Sequence, residues 1–237
     1  MPAILLACPL TSPAMAEDET TEERTPLSTV IFGSLEAGPT KTFAAIGVKK
    51  ALTGGLASSG FRALLKVGGS QEQTGTRRPH GTAYKSEAQV LIGYEWRIGD
   101  TFLSLYAGPD YESELRDEPL VTVVTHRYGA RLHGDLWMTP TPDTMLHASA
   151  YVSTIDGRVW GRVAPGWLLP QNLAQRGLYL GPEVEAYRES DYSKLRLGLH
   201  LTGLRFLGLS WRISGGWQST SDRPSEAYAT LGLHWQR

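Results

Sequence analysis

The chain reads as all-β: a single antiparallel, up-and-down β-barrel of the outer-membrane type with about twelve strands, within a range of roughly ten to fourteen. Three observations predict this. From Lys194 to Thr202 the sequence alternates strictly, with Leu195, Leu197, Leu199 and Leu201 on one side of an extended strand and Lys194, Arg196, Gly198, His200 and Thr202 on the other. Similar two-faced segments recur from about Ser28 to the C-terminus, separated by turn residues, and none sustains a 3.6-residue period. No run of about 18 apolar residues follows the N-terminus, which removes transmembrane helices but not barrel strands, whose apolar face hides among alternating polar residues.

The elements follow in chain order. Residues 1–16 read as a secretory signal peptide: a short apolar run, then the small-residue site Ala14-Met15-Ala16. Its basic leading region is missing, so the reading places the true start upstream. Cys8, the only cysteine, follows Leu5-Leu6-Ala7 as a lipoprotein acylation site would. The simpler reading makes it a small apolar member of the signal. Cleavage after Ala16 would leave a mature chain without cysteine, compatible with an envelope location. Residues 17–27, acidic and polar, read as a disordered leader, and 28–237 as the barrel domain.

Strands are expected near Thr29–Ala37, Thr42–Ala51, Phe61–Ser70, Tyr84–Ile98, Thr101–Asp110 and Val121–Met138. They continue at Thr144–Ile155, Arg158–Leu168, Gly177–Arg188, Tyr192–Phe206, Gly208–Ser219 and Ser225–Gln236. The connections 98–100, 139–143 and 207–208 are short, as periplasmic turns are, whereas Gln71–Ala83, Tyr111–Leu120 and Ser219–Ser225 read as longer outer loops. Gly38-Pro39-Thr40, the tight Asp156-Gly157 hairpin and the longer Pro170–Arg176 connection break that asymmetry.

Apolar faces of about five residues with Trp or Tyr near their ends suit a lipid-facing band between aromatic girdles. Ala88, Val90, Ile92, Tyr94 and Trp96 form one such face, opposite Gln89, Glu95 and Arg97. The opposite faces carry charges of both signs, including Arg62, Lys66, Arg127, Arg131, Asp135, Glu183, Glu185, Arg196 and Arg212. A water-soluble sandwich would set these in bulk solvent, but its strands would be long by soluble standards. A barrel would set them in its lumen, where opposite charges pair across the interior. His126 falls on the apolar side.

Motifs for chemistry are missing. There is no Gly-x-Ser-x-Gly elbow, His-Glu-x-x-His helix or Walker loop, and six histidines without paired spacing define no metal site. The expectation is therefore no catalytic residue, no cofactor and no metal, and a net charge of −1 implies no nucleic-acid partner. His133 and Asp135 share a face and read as a lumen salt bridge before a catalytic dyad.

The C-terminal half carries an ordered set of short motifs: Gly134-Asp135-Leu136-Trp137-Met138-Thr139-Pro140-Thr141-Pro142, Ala150–Ile155, Tyr179-Leu180-Gly181-Pro182-Glu183, Asp191–Gly203 and Ala227–Gly232. In these it resembles the BcsS family of cellulose biosynthesis proteins, over roughly residues 28–237 and most specifically between Gly134 and Gly203. The resemblance implies an outer-membrane barrel, accessory to synthesis or export of β-1,4-glucan. Outer-membrane lipid, cellulose and other components of the cellulose synthase complex would be its partners. It supplies no catalytic residues. Candidate lumen residues for contact with glucan are Arg131, Asp135, Tyr151, Trp160, Arg162, Glu183, Glu185, Tyr187, Arg196, Arg212 and Tyr228. Two other readings stand beside it: a membrane-embedded barrel hydrolase acting on lipid or polysaccharide, and a periplasmic glucan-binding β-sandwich. The chain ends Leu233-His234-Trp235-Gln236-Arg237, with Trp235 where barrels of this class usually place a terminal aromatic.

Overall fold

The computed structural model describes residues 27–74, 81–118, 121–170 and 177–236. The expected signal peptide and all but the last residue of the acidic leader lie outside them. Twelve strands follow in order: β1 (Thr29–Ala37), β2 (Lys41–Ala51), β3 (Gly60–Thr74), β4 (Gly81–Ile98), β5 (Thr101–Glu118), β6 (Val121–Thr141), β7 (Thr144–Ser153), β8 (Arg158–Leu168), β9 (Tyr179–Glu189), β10 (Tyr192–Phe206), β11 (Leu209–Thr220) and β12 (Glu226–Gln236). Each pairs antiparallel with its chain neighbours, and β1 closes on β12 from Val30↔Gln236 to Ala37↔Ala229. Closure into one ring excludes the two-sheet sandwich. It also leaves no unpaired sheet edge. Among the described residues no helix is long and apolar enough to cross a membrane.

Alternation decides which side of the wall each residue takes. On β10, Leu197 and Leu199 are 56% and 60% exposed, whereas Arg196 and His200 are 2% and 1% exposed. The leucines therefore face outward and the charged residues face the lumen. β3, β4, β9 and β11 repeat the pattern, with Leu65, Val90, Val184 and Trp217 outward and Arg62, Gln89, Glu183 and Arg212 inward.

Aromatic clusters mark both ends of the outward band. At the end that carries the chain termini, Phe61 meets Tyr94 edge-on at 5.1 Å and Trp96 lies tilted against Tyr94 at 5.0 Å. Toward the other end, Tyr111 lies tilted against Tyr128 at 5.1 Å and shares a hydrogen bond with His126 Nδ1 at 3.0 Å. His126, out of place on an apolar face, thus sits in an aromatic girdle where polar tips are tolerated. Along β5, Leu103 (the partner of Trp96) and Tyr111 stand eight residues apart. At strand rise and a tilt of roughly 40° that is about 20 Å, close to the apolar band of about 25 Å that barrels present.

Two expected loops are instead strand. β3 runs on to Thr74, β4 begins at Gly81, and β5 and β6 pair up to Glu118↔Val121, so most of Gln71–Ala83 and Tyr111–Leu120 belongs to hairpins. The reason is local: beyond Asp110 the outward positions mix Ser113 and Asp117 with Leu115, and the lumenal ones are Glu112 and Glu114. Hydrophobic alternation fades while backbone pairing continues. β6 pairs with β7 only from Arg131 onward, so Val121–Gly129 has β5 as its ladder partner and the β5–β6 hairpin stands proud of β7 on the end opposite the termini, while Ala130 bonds Thr154. The turn after β6 shrinks to Pro142-Asp143. At Leu207-Gly208 both residues have positive φ, 54° and 72°, as a two-residue hairpin with right-twisted strands requires.

Replacing Leu197 by Arg sets a charge on the outward band next to inward Arg196. If that band is seated in hydrocarbon, the substitution costs about 2–4 kcal/mol, read as a lowered urea midpoint in lipid vesicles. A water-facing surface would tolerate it.

Candidate functional site in the lumen

Side chains from non-neighbouring strands can meet only across the interior, and here they meet as ion pairs. Arg158 on β8 grips Glu112 on β5 through two bonds of 2.5 and 2.8 Å. Glu112 also accepts from Arg127 at 2.8 Å, and Arg158 Nε reaches Glu189 at 3.1 Å. One layer away, Arg131 bonds Asp110 through Nε at 3.0 Å and Nη2 at 2.9 Å, and the Ser153 hydroxyl donates to the same carboxylate at 2.7 Å. Guanidinium forks suit this work because one cation satisfies two acceptors at once.

On the opposite wall Arg196 on β10 is bidentate on Glu36 of β1, reaches Glu185 at 3.2 Å, and donates through Nε to Gln218 at 2.9 Å. Its guanidinium lies 4.6 Å from the Tyr228 ring centroid. Arg212 on β11 pairs with Glu183 on β9, which also accepts from Ser214 at 3.0 Å. The chain of contacts continues through Arg212 Nη1 to His147 Nδ1 at 3.2 Å, and from His147 Nε2 to Asp135 at 3.8 Å. Asp135 also bonds His133 Nε2 at 2.8 Å. With Arg212 donating to its Nδ1, His147 carries its hydrogen on Nε2, toward Asp135.

Near the end with the termini, Glu95 accepts from Lys49 at 2.8 Å and from Ser104 at 3.2 Å, with Arg62 Nε 3.5 Å away. Arg62, fully buried, turns its remaining donors onto the β2–β3 connection, reaching the carbonyls of Thr53 and Gly55 at 3.1 Å and that of Ser58. A single lumenal arginine thus ties that connection to the barrel mouth.

All eleven residues singled out in the sequence lie on the lumenal face. They divide into three groups. Glu183 and Arg212, linked through His147 to Asp135, form the first. Glu185, Arg196 and Tyr228 form the second. The third is aromatic: Tyr151 and Trp160 are register partners whose rings stack at 5.5 Å and 23°, and Tyr187 is the partner of Trp160 on its other side. All three rings are partly exposed to the lumen. Arg131 lies 4.0 Å above Tyr151 and Arg162 lies 5.7 Å from Trp160. Arg162, like Arg212 and Arg62, has a buried Nε without a hydrogen-bond partner among the described residues.

The sequence singled out no role for Glu36, Asp110, Glu112, Arg158 or Lys194, which complete these networks. A count of every second residue along each strand would have found most of them; Glu112 fell in a stretch read as loop. Of the lumenal serines and histidines, Ser214 bonds Glu183 and Thr230, while His200 bonds Thr202 and the Pro165 carbonyl. Among the described residues, no cluster of three or more His, Cys, Asp or Glu has a geometry that could hold a metal ion.

A closed ring of twelve antiparallel strands, oily outside and ionic within, is the construction of an outer-membrane-type β-barrel. Two solved barrels share it: the β domain of the Bordetella autotransporter BrkA, at TM-score 0.55 and 11% identity over 90% of this chain and 100% of that one, and the translocator domain of the autotransporter NalP from Neisseria meningitidis, at 0.51 and 13% over 91% and 90%. The family model for cellulose biosynthesis protein BcsS matches residues 30–237, and the chain belongs to that family. No curated protein matches the sequence.

Replacing Arg196 by Met leaves buried Glu185 and half-buried Glu36 with Lys194 as their remaining cation, at 3.3 and 3.9 Å, and destabilises the barrel by about 1–3 kcal/mol in denaturant. Adding Glu36→Gln recovers part of that loss, read as a favourable coupling in a double-mutant cycle.

Proposed function

We propose that this protein is a non-catalytic accessory of cellulose biosynthesis, seated in the outer membrane of the cell envelope. There it contacts β-1,4-glucan at the lumenal Tyr151–Trp160–Tyr187 platform. Family membership supports the link to cellulose, and the two-faced wall with its aromatic girdles supports the membrane seat. The observation that carries the glucan contact is the platform itself. A pyranose ring presents an apolar face that stacks on aromatic rings and a rim of hydroxyls that need donors. Here the stacked rings stand beside the Arg162 guanidinium, 5.7 Å from the Trp160 ring. The ion pairs of Glu183, Glu185, Arg196 and Arg212, all buried, fill the interior at the neighbouring level. This favours a barrel that holds or guides a glucan segment over one that conducts it through a standing pore.

Fractionation and heat-modifiable gel migration test the seat: the protein is expected in the outer membrane, and recovery as a soluble periplasmic protein would overturn the reading. Trp160→Ala is expected to weaken cello-oligosaccharide binding roughly tenfold in titration. A large, steady conductance in planar bilayers would contradict the filled interior. The hydrolase reading has one observation in its favour, the His133–Asp135 bond. His133→Gln separates the two readings, since cellulose output unchanged by it leaves no place for a His133-based mechanism.

A further inference from the structure

Between β8 and β9 the hydrogen-bonded ladder is interrupted. Val159–Val163 pair with Arg188–Val184, and Trp167 and Leu168 pair with Leu180 and Tyr179, yet Ala164, Pro165 and Gly166 have no ladder partners. The register is the same on both sides of the gap, so Pro165 stands opposite Pro182 and Gly166 opposite Gly181. Proline has no N–H, and neither of these two can bond the other's carbonyl. The strands do not part for want of bonds. A Cβ on Gly181 would lie 1.9 Å from the Pro165 oxygen and 2.8 Å from Gly166 Cα, so glycine is required for so close an approach.

Outside the gap, Val163, Trp167, Leu180 and Val184 form an exposed surface, and no bond from them to the Pro165 oxygen is present among the described residues. The missing donor comes from inside. His200, on β10, lays its ring across Gly181 and against Gly166, and its Nε2 lies 2.9 Å from the Pro165 oxygen. A carbonyl only accepts, so Nε2 carries the hydrogen, and Nδ1 accepts from the Thr202 hydroxyl at 2.9 Å. The β4–β5 ladder also skips two positions, beside Pro109, but there the lumen behind it is packed by Leu91, Tyr106 and Leu64. Only one side of that gap is a proline.

We propose that the β8–β9 seam is a lateral opening built into the barrel wall, held shut from the lumen by His200 acting as a latch. Two ladder bonds are absent at mid-strand, one side-chain bond replaces them, and that bond comes from a third strand. When His200 swings away, β8 and β9 lose their link at the gap. The lumen then meets the outer apolar surface along strands that also carry Trp160 and Tyr187. The seam is independent of the glucan reading and stands or falls on backbone dynamics alone.

Amide hydrogen exchange on the full chain in detergent micelles tests it. In the native protein, amides of β8 and β9 flanking the gap are expected to exchange faster than those of the uninterrupted β2–β3 ladder. The pair Pro165→Ala with Pro182→Ala restores both donors and is expected to slow exchange at the seam about tenfold or more, the ratio two ordinary backbone bonds support. His200→Ala is expected to speed exchange at the seam and to leave β2–β3 unchanged, with His200→Gln, which keeps an N–H donor, restoring part of the protection. The proposal is overturned if the native seam exchanges as slowly as β2–β3, or if the alanine pair has no effect. Equal acceleration of the whole barrel by His200→Ala also overturns it, since His200 would then be general packing.

Discussion

The cross-lumen ion pairs are the constraint on which the rest of the barrel depends. A ring of twelve strands encloses an interior too narrow for bulk water around every charge, and an unpaired buried charge costs several kcal/mol. Each inward carboxylate must therefore find its cation on another strand. That requirement fixes more than energy. Glu36 reaches Arg196 only with β1 closed on β12, Glu112 reaches Arg158 only with β5 and β8 facing each other, and Glu183 reaches Arg212 across β10. A slip of one residue in any of these strands would turn its charges outward and its leucines inward. The ionic interior thus specifies register and closure as firmly as the apolar exterior specifies environment.

Most of the barrel was legible in the sequence because this constraint writes itself as alternation. β1, β8 and β10 begin and end where the pattern predicts, since apolar and charged residues alternate up to their turns. The upper parts of β5 and β6 were not legible. Once a strand rises past the apolar band, its outward residues need no longer be oily, and Ser113, Asp117, Thr122 and His126 resemble a loop. The candidate site was legible by face but not by partner. Alternation puts Arg131, Glu185 and Arg212 inside; which charge each one meets depends on shear and strand order, which a single chain does not spell out.

The same logic accounts for the places where the wall departs from regularity. Proline in a strand interior is tolerated when something else answers the carbonyl it leaves without a donor. At Pro165 the answer comes from His200, and it reaches its acceptor because Gly181 and Gly166 have no side chains to block the ring. Four residues on three strands therefore form one device, and none of them could be assigned a role from its own strand.

A filled interior and a discontinuous wall bear on function together. In a barrel with an open channel, selectivity would reside along the axis, and breaks in the wall would only weaken it. Here the axis is occupied by paired side chains, and the partly exposed aromatic rings lie on β7, β8 and β9, against the wall and not on the axis. The aromatic surface is thus carried by the same strands whose ladder is interrupted. Movement of β8 against β9 would change the spacing of Trp160 and Tyr187, which are register partners across that boundary. The Arg196–Glu36 pair, on β10 and β1, lies outside that boundary, whereas Arg158 on β8 spans it to Glu189 on β9. Arg158 therefore limits how far this part of the wall can give beside its aromatic platform.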